Sequence, residues 1–321
     1  MRIWCNADLG ADGMKLLEEG VRDHTLVLSA RRNRSVLAVG QRDPSLAEAD
    51  VAFGQPDPAD CLDSRRLRWV EVSSAGYTRY DTDRFREAMR SRGVAFTNAS
   101  LVYADACAEH ILAMMLALNR HLLASYAGQM GDRAWPYHER RAASRLLAGQ
   151  TVVMLGFGAI GRRLAALLAP FGAKIYAVRR QIRSEPGVHI VPEADLTKVL
   201  AEADHVVDVL PENASSNRYV NARRIGCLRA GARFYNVGRG ATVDQEALIE
   251  GLKSGRVGAA YLDVTVPEPL PPDHPLWSAP NCFITPHTAG GRHNVNEELV
   301  RHFLANLAAF ESGGPMIDRV L

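Results

Sequence analysis

A short apolar run, Thr151–Leu155 (TVVML), leads at once into the turn GFGAIG at Gly156–Gly161, and a segment of helical periodicity, Ile160–Pro170, follows. Gly156 permits a tight turn, Gly158 lets the backbone approach a pyrophosphate, and Gly161 lets the helix pack close to the strand. The helix start then offers unpaired N–H groups and the positive end of its dipole to phosphates. Alone, a Gly-x-Gly-x-x-Gly pattern is weak and also suits a tight turn in an unliganded sheet. Flanked by strand and helix, it points to a dinucleotide-binding βαβ unit in which Gly156, Gly158, Ala159, Ile160 and Gly161 meet the cofactor.

The next strand-like run, GAKIYAVRRQ at Gly172–Gln181, ends in two arginines. Arg179 stands eighteen residues after Gly161, where such units usually carry a carboxylate for the adenosine ribose. A carboxylate there repels a 2′-phosphate, whereas the guanidiniums of Arg179 and Arg180 can clamp one with forked, charge-assisted hydrogen bonds. The pair favours NADP(H), with NAD(H) still possible, and argues against S-adenosylmethionine. The plain alternative is two solvated charges at a strand end.

The rest of the chain alternates in the same way. Arg2–Cys5, Thr25–Leu28, Val51–Phe53, Trp69–Val72 and Val94–Phe96 read as strands, with helices at Gly13–Glu19 and Asp81–Ser91. A long helix is expected over Tyr103–Tyr126, then a polar loop over Gly131–Ser144. After Thr151 the runs TVVML, KIYAV, HVVDVL, RFYNV and GAAYLDV alternate with helical segments, and Asn296–Glu311 closes the chain as a helix. This predicts an α/β protein of parallel sheets covered by helices, with a nucleotide-binding unit in the middle of the chain and a second domain assembled from both ends. With 321 residues there is chain enough for both.

Lys and Arg total 38 against 36 for Asp and Glu, so the balance of +2 implies no general attraction to nucleic acid or to an anionic membrane. The five cysteines are odd in number and without a Cys-x-x-Cys pair, which argues against structural zinc and a disulfide framework. The most apolar segment, Ile111–Leu118, is too short to span a bilayer, and the N-terminus has no signal-peptide run. A cytoplasmic protein is expected.

Three polar residues fall in loops after strand-like runs, where ligands collect in open parallel sheets. They are Arg239 in NVGRG, Glu268 in DVTVPEPLP, which begins at Asp263, and His287 in TPHTAGG. Taken singly each has an ordinary explanation; together they supply a cation, an acid–base group and its partner. From LAGQTVVMLGFGAIG through LDVTVPEPLPPDHPLW to NCFITPHTAG the sequence resembles the D-isomer-specific 2-hydroxyacid dehydrogenases, nearly end to end. The resemblance implies an α/β fold of two doubly wound parallel-sheet domains, a Rossmann nucleotide-binding domain at 99–288 and a flavodoxin-like substrate domain from 1–98 and 289–321. It implies catalytic roles for Arg239, Glu268 and His287, and a place near the nicotinamide for Asp263. It also implies cofactor contacts from Leu210, Pro211, Val237, Gly238, His287 and Gly290, substrate contacts from Ser74, Ala75 and Gly76 alongside Arg239 and His287, no metal, and a homodimer formed through the nucleotide-binding domains.

On that reading His287 gives the carbonyl oxygen its proton, Glu268 orients the ring and favours its charged form, and Arg239 holds the substrate carboxylate. The expected activity is NADP(H)-linked reduction of a small 2-keto acid such as glyoxylate or hydroxypyruvate. Two alternatives stay open: a dinucleotide-sensing, corepressor-like binding protein, and a dehydrogenase of an unusual donor such as phosphite. Asn213, Gly238 and Tyr77 depart from the family's usual residues, and Phe53 is either a wall of the substrate pocket or a core residue.

Overall fold

Five strands near the N-terminus pair in parallel. They are β1 (Arg2–Ala7), β2 (Thr25–Asn33), β3 (Val51–Gly54), β4 (Trp69–Val72) and β5 (Ala95–Thr97), in spatial order β2-β1-β3-β4-β5. The computed structural model describes residues 1–33, 40–179 and 184–321. In it this sheet belongs to a unit made of Met1–Tyr103 and Gly291–Leu321, and a second unit holds Ala104–Gly290.

Both faces of the first sheet are covered, so β3 and β4 are buried at every residue rather than alternating. One cover is the C-terminal helix Val295–Ser312, whose Leu299, Phe303 and Leu307 recur at helical spacing and join Ile3, Val51, Phe53 and Trp69 in one core. Phe303 stacks on Phe53 at 4.4 Å between ring centroids and on Trp69 at 5.1 Å. Phe53 is therefore a core residue, fully buried, and walls no pocket.

The same helix carries a buried ionic network. His302 Nδ1 lies 3.1 Å from Glu71 Oε1 and Nε2 lies 3.2 Å from Asp318 Oδ2. Glu71 Oε2 also accepts from Asn306 Nδ2 at 2.7 Å and from Thr97 Oγ1 at 2.9 Å. Burial alone disfavours a charged imidazole, but the two carboxylates raise His302 to about 9 from 6.5. Because the folded value lies above the unfolded one, the stabilisation is complete below pH 6.5 and is lost as pH climbs to about 9. It amounts to about 3 kcal/mol. In denaturant titrations of His302→Gln, the deficit relative to the parent protein should be large at mildly acidic pH and shrink toward pH 9; a deficit independent of pH would contradict this.

The second unit is built on seven parallel strands: β6 (Thr151–Leu155), β7 (Lys174–Val178), β8 (His189–Val191), β9 (His205–Asp208), β10 (Ala232–Asn236), β11 (Val257–Leu262) and β12 (Cys282–Ile284). Their order is β12-β11-β10-β9-β6-β7-β8, so the chain winds outward from β6 in one direction and from β9 in the other. The reversal makes β6/β9 the switch point, the usual ligand crevice of such sheets. Pairing sets Leu155 beside Asp208, Asp208 beside Asn236, Asn236 beside Leu262, and Leu262 beside Ile284. In consequence the loops after β6, β9, β10, β11 and β12 leave the sheet at one level.

Departures from the sequence expectation are local. β8 and β12 have three residues each, too few to show alternation. The expected helix Tyr103–Tyr126 runs instead over Ser100–Asn119; His121 takes a left-handed φ of 55°, and a separate helix follows over Leu122–Met130. The stretch Gly131–Ser144, expected to be loop, contains the helix Tyr137–Ala143, which buries no residue and so presents no apolar stripe to read. At 20 residues, Ser100–Asn119 is long and apolar enough by composition to span a bilayer, contrary to the eight-residue estimate. It carries Asp105, paired with Arg163, and buries Cys107, Ala108, Ile111 and Met115.

Candidate active site

At the end of β6, Gly156 adopts φ +90°, a conformation side chains disfavour, and a Cβ there would meet the Val209 carbonyl oxygen at 3.2 Å. Gly158 is the N-cap of the helix Ala159–Leu168, and a Cβ on it would meet nothing within 4 Å. No side chain caps this helix, and its first turn carries no acid. Ala159 and Ile160 form that first turn, and Gly161 sits against the Phe157 ring. An open, uncapped helix start behind a glycine turn fits a pyrophosphate.

Arg179, just past β7, donates from Nη1 to Glu185 Oε1 at 3.0 Å, and Arg162 Nε reaches the same oxygen at 3.4 Å. Two guanidiniums therefore converge on one carboxylate oxygen. Arg162, directly after the glycine turn, was not singled out from sequence, although its position one residue past Gly161 was a usable signal. Arg180, the other expected clamp residue, lies outside the described residues.

The loop after β10 is packed with unusual closeness. A Cβ on Gly240 would lie 2.2 Å from the backbone of Thr265, so only glycine lets the Arg239 loop touch the loop that carries Glu268. A Cβ on Gly238 would lie 2.8 Å from the Leu210 carbonyl oxygen, which explains glycine at this departure from the family pattern. Val237 is buried, Leu210 is half-buried, and Pro211 is exposed. Asn213 forms a tight turn in which its Oδ1 accepts from Ser215 N–H at 2.9 Å.

Arg239 is half-buried. Burial pulls its pKa down, while the charges of Glu212 and Glu268 act against that, so Arg239 lies in the field of Glu268. Its Nη1 donates to the Gly238 carbonyl at 2.6 Å. Glu268 Oε1 accepts from Thr265 N–H at 3.0 Å, and Oε2 lies 2.8 Å from His287 Nδ1. Burial works against ionisation of Glu268, but His287, the Thr265 N–H and Arg239 together hold its carboxyl below the usual range. The loop itself is clamped by Gln245, whose side-chain amide bonds both the carbonyl and the N–H of Val266.

His287 has a left-handed φ of 54°, and its N–H points at the carbonyls of Asp263 and Thr285. Asp263 is buried and spends its carboxylate on the histidine loop: Oδ1 accepts from Thr288 N–H at 2.8 Å and from Thr285 Oγ1 at 2.6 Å, and Oδ2 from Ala289 N–H at 3.0 Å. Tyr261 in turn bonds Thr285 Oγ1 at 2.6 Å. Asp263 thus positions the loop, a task the sequence did not suggest. Gly290 closes this segment and is half-buried.

In the first unit, the loop after β4 is tied down through its carbonyls. Ser73 O accepts from the Tyr103 hydroxyl, Ser74 O from Ala99 N–H, Ala75 O from Asn98 Nδ2, and Gly76 O from Ser74 Oγ. Among the described residues, the N–H groups of Ala75 and Gly76 bond no protein acceptor. Tyr77 packs edge-on against Phe96 at 6.0 Å.

A nucleotide-type glycine turn at a switch point, with arginine, glutamate and histidine on three neighbouring strand ends, defines a dinucleotide-linked α/β enzyme. Residues 112–289 match the family described as D-isomer specific 2-hydroxyacid dehydrogenase, NAD binding domain. A glyoxylate reductase of Pyrococcus furiosus is 31% identical over 77% of this chain and 74% of its own length. Glyoxylate/hydroxypyruvate reductase B of Pectobacterium atrosepticum is 30% identical over 84% of this chain and 85% of its own. The solved D-isomer specific 2-hydroxyacid dehydrogenase of Xanthobacter autotrophicus Py2, in complex with NADPH and MES, superposes with a TM-score of 0.83 at 25% identity, covering 100% of this chain and 98% of that one. The chain belongs to the D-isomer-specific 2-hydroxyacid dehydrogenase family, with the two parallel-sheet domains of its members.

Proposed function

We propose that the protein is an NADP(H)-preferring reductase of small 2-keto acids, with glyoxylate and hydroxypyruvate the first candidates. The observation that carries the chemistry is the 2.8 Å contact between His287 Nδ1 and Glu268 Oε2, in the field of the half-buried Arg239. With Nδ1 committed to Glu268, Nε2 is left to protonate the carbonyl oxygen. Arg239 holds the substrate carboxylate and stabilises charge growing on that oxygen. In the first unit, Ser74 and the N–H groups of Ala75 and Gly76 are the further substrate contacts of this reading. The bound nicotinamide supplies the hydride.

Gly156, Gly158, Ala159, Ile160 and Gly161 would cradle the pyrophosphate, and Leu210, Pro211, Val237, Gly238, Asp263 and Gly290 would line the rest of the cofactor. The preference for the 2′-phosphorylated cofactor rests on Arg179 with Arg180. The Glu185 carboxylate bridging Arg162 and Arg179 marks where an anion is welcome. A phosphate dianion there would displace it. The solved relative's NADPH complex agrees with this reading.

The exposed apolar side chains Leu122, Tyr126, Met130, Trp135, Tyr137 and Leu146 are concentrated between the helix Ser100–Asn119 and β6. So many exposed apolar side chains in one stretch of chain suit a homodimer interface, and Trp135 is 89% exposed. Five free cysteines suit a reducing cytoplasm.

The test is a screen of 2-keto acids against both cofactors, repeated with Arg179→Ala/Arg180→Ala. Turnover of a keto acid with NADPH is expected. The double variant should raise KM for NADPH about tenfold or more through loss of charge-assisted bonds, with little change for NADH. Equal losses with both cofactors would refute the clamp, and no turnover of any keto acid would favour a binding role.

A further inference from the structure

Asp208 ends β9 and is completely buried, and among the described residues it forms no ion pair. Its Oδ1 accepts from Leu210 N–H at 3.0 Å, and Oδ2 lies 2.6 Å from Thr242 Oγ1. The same hydroxyl oxygen lies 2.6 Å from the carbonyl oxygen of Arg239. A threonine hydroxyl has one proton to give. Were Asp208 ionised, that proton could serve only one of the two acceptors, and the other contact would be two oxygens at 2.6 Å with no hydrogen between them. Were Asp208 protonated, Oδ2–H would donate to Thr242 Oγ1 and Thr242 would donate onward to Arg239. Every short contact then holds a proton.

The surroundings agree. Its strand neighbours, Leu155 and Asn236, carry no charge. Asn236 Nδ2 bonds the same Arg239 carbonyl at 3.0 Å. Among the described residues the Tyr219 phenol, itself pushed up by burial and by Glu193, is a titratable group coupled to Asp208, and Arg239 enters the network through its carbonyl. Burial pushes the Asp208 carboxyl up to about 7 from 3.8, while the bonds from Thr242 and Leu210 pull the other way.

We infer that Asp208 works as a neutral acid whose proton, relayed through Thr242, holds the Arg239 backbone, which makes Asp208 a positioning residue for substrate binding. The inference rests on the proposed role of Arg239 for its functional half. The same carboxyl anchors Leu210, against which Gly238 packs, so one buried group ties the arginine loop to the cofactor-side loop. When Asp208 loses its proton the relay breaks, and only the protonated fraction keeps Arg239 placed. The KM for keto acid should then rise by up to about tenfold per pH unit above the ionisation point. Stability carries a separate mark. The unfolded chain ionises this carboxyl above 3.8, while the folded protein keeps the proton to about 7. Stability therefore falls as pH rises across that window and is flat beyond it.

Asp208→Asn tests this, since its amide Nδ2 can donate to Thr242 as the acid does. Infrared difference spectra of the parent protein against Asp208→Asn should show an un-ionised carboxyl at about pH 6 that fades by about pH 9. Asp208→Asn should lose both the alkaline rise in keto-acid KM and the fall in stability between about pH 4 and 7. An ionised carboxylate band at low pH, or pH slopes equal to the parent's, would overturn the inference. If no keto acid is turned over, the spectra and the stability slopes still decide the state of Asp208, so failure of the proposed function is distinguishable from failure here. Should Asp208→Asn not fold, Thr242→Ser and Thr242→Val replace it. The serine variant keeps the relay and the parent's KM, and the valine variant raises KM; equal KM values in the two would count against the relay.

Discussion

His287→Ala is expected to lower kcat for keto-acid reduction by about 10²–10⁴-fold, the range for loss of a positioned general acid. Cofactor affinity, read by fluorescence titration, should change little. The expectation rests on how completely the loop after β12 is fixed. Asp263 takes three hydrogen bonds from this loop, and the His287 N–H is directed at two carbonyls, so the ring's base does not depend on bound substrate for its position. Glu268 fixes the other end of the ring through Nδ1, and the carboxylate is itself held by Thr265. Nε2 is then the one nitrogen free to meet a carbonyl oxygen.

The backbone at His287 calls for a second variant. Its φ of 54° lies in the left-handed region, which asparagine tolerates better than alanine. His287→Asn removes the proton donor with less disturbance of the loop, so a matching loss in both variants assigns the effect to the imidazole. Near-normal reduction by His287→Asn would remove the proposed mechanism. Glu268→Gln should produce a smaller loss, because an amide can still accept from Nδ1 while the charge that accompanies proton transfer is gone.

Much of this arrangement could be read from the chain because parallel sheets place function at predictable points. The run TVVML and the turn GFGAIG locate β6 and the phosphate position, and Arg239, Glu268 and His287 each follow an apolar run in sequence. What could not be read depends on distance across the fold. Nothing near Gly240 in the chain announces that its α-carbon abuts Thr265, and nothing in HVVD distinguishes a neutral aspartate from a ligand-facing one. The resemblance puts Asp263 near the nicotinamide but says nothing of the partners its carboxylate takes, Thr285, Thr288 and Ala289, more than twenty residues away. Glu185, which meets Arg162 and Arg179, lies outside every periodic segment. The short elements β8, β12 and Tyr137–Ala143 failed for a simpler reason, since three to seven residues hold too little periodicity to detect.

Arg239→Met should lower kcat/KM for keto acids by about 10²–10³-fold, comparable to removing one preorganised donor to a developing oxyanion. Both constants should suffer, KM through the lost grip on the carboxylate and kcat through the lost stabilisation of the transition state. Methionine keeps an unbranched apolar stem and lacks the guanidinium beyond it, so the packing about the stem survives while the space of the guanidinium is left open. Two features of the site sharpen the expectation. Nη1 is already engaged by the Gly238 carbonyl, which sets the plane of the guanidinium and leaves its other donors in a fixed direction. The Arg239 carbonyl, bonded by Thr242 and Asn236, keeps the backbone from following a substituted side chain. A lysine cannot reproduce that planar fork, so Arg239→Lys should recover charge without recovering orientation and remain closer to the methionine variant than to the parent. Guanidinium ion added to the Arg239→Met protein should restore part of kcat, because the missing group is a cation of that shape. Full activity in Arg239→Lys would mean that a point charge suffices, and unchanged kcat/KM in Arg239→Met would place the substrate carboxylate somewhere other than this loop.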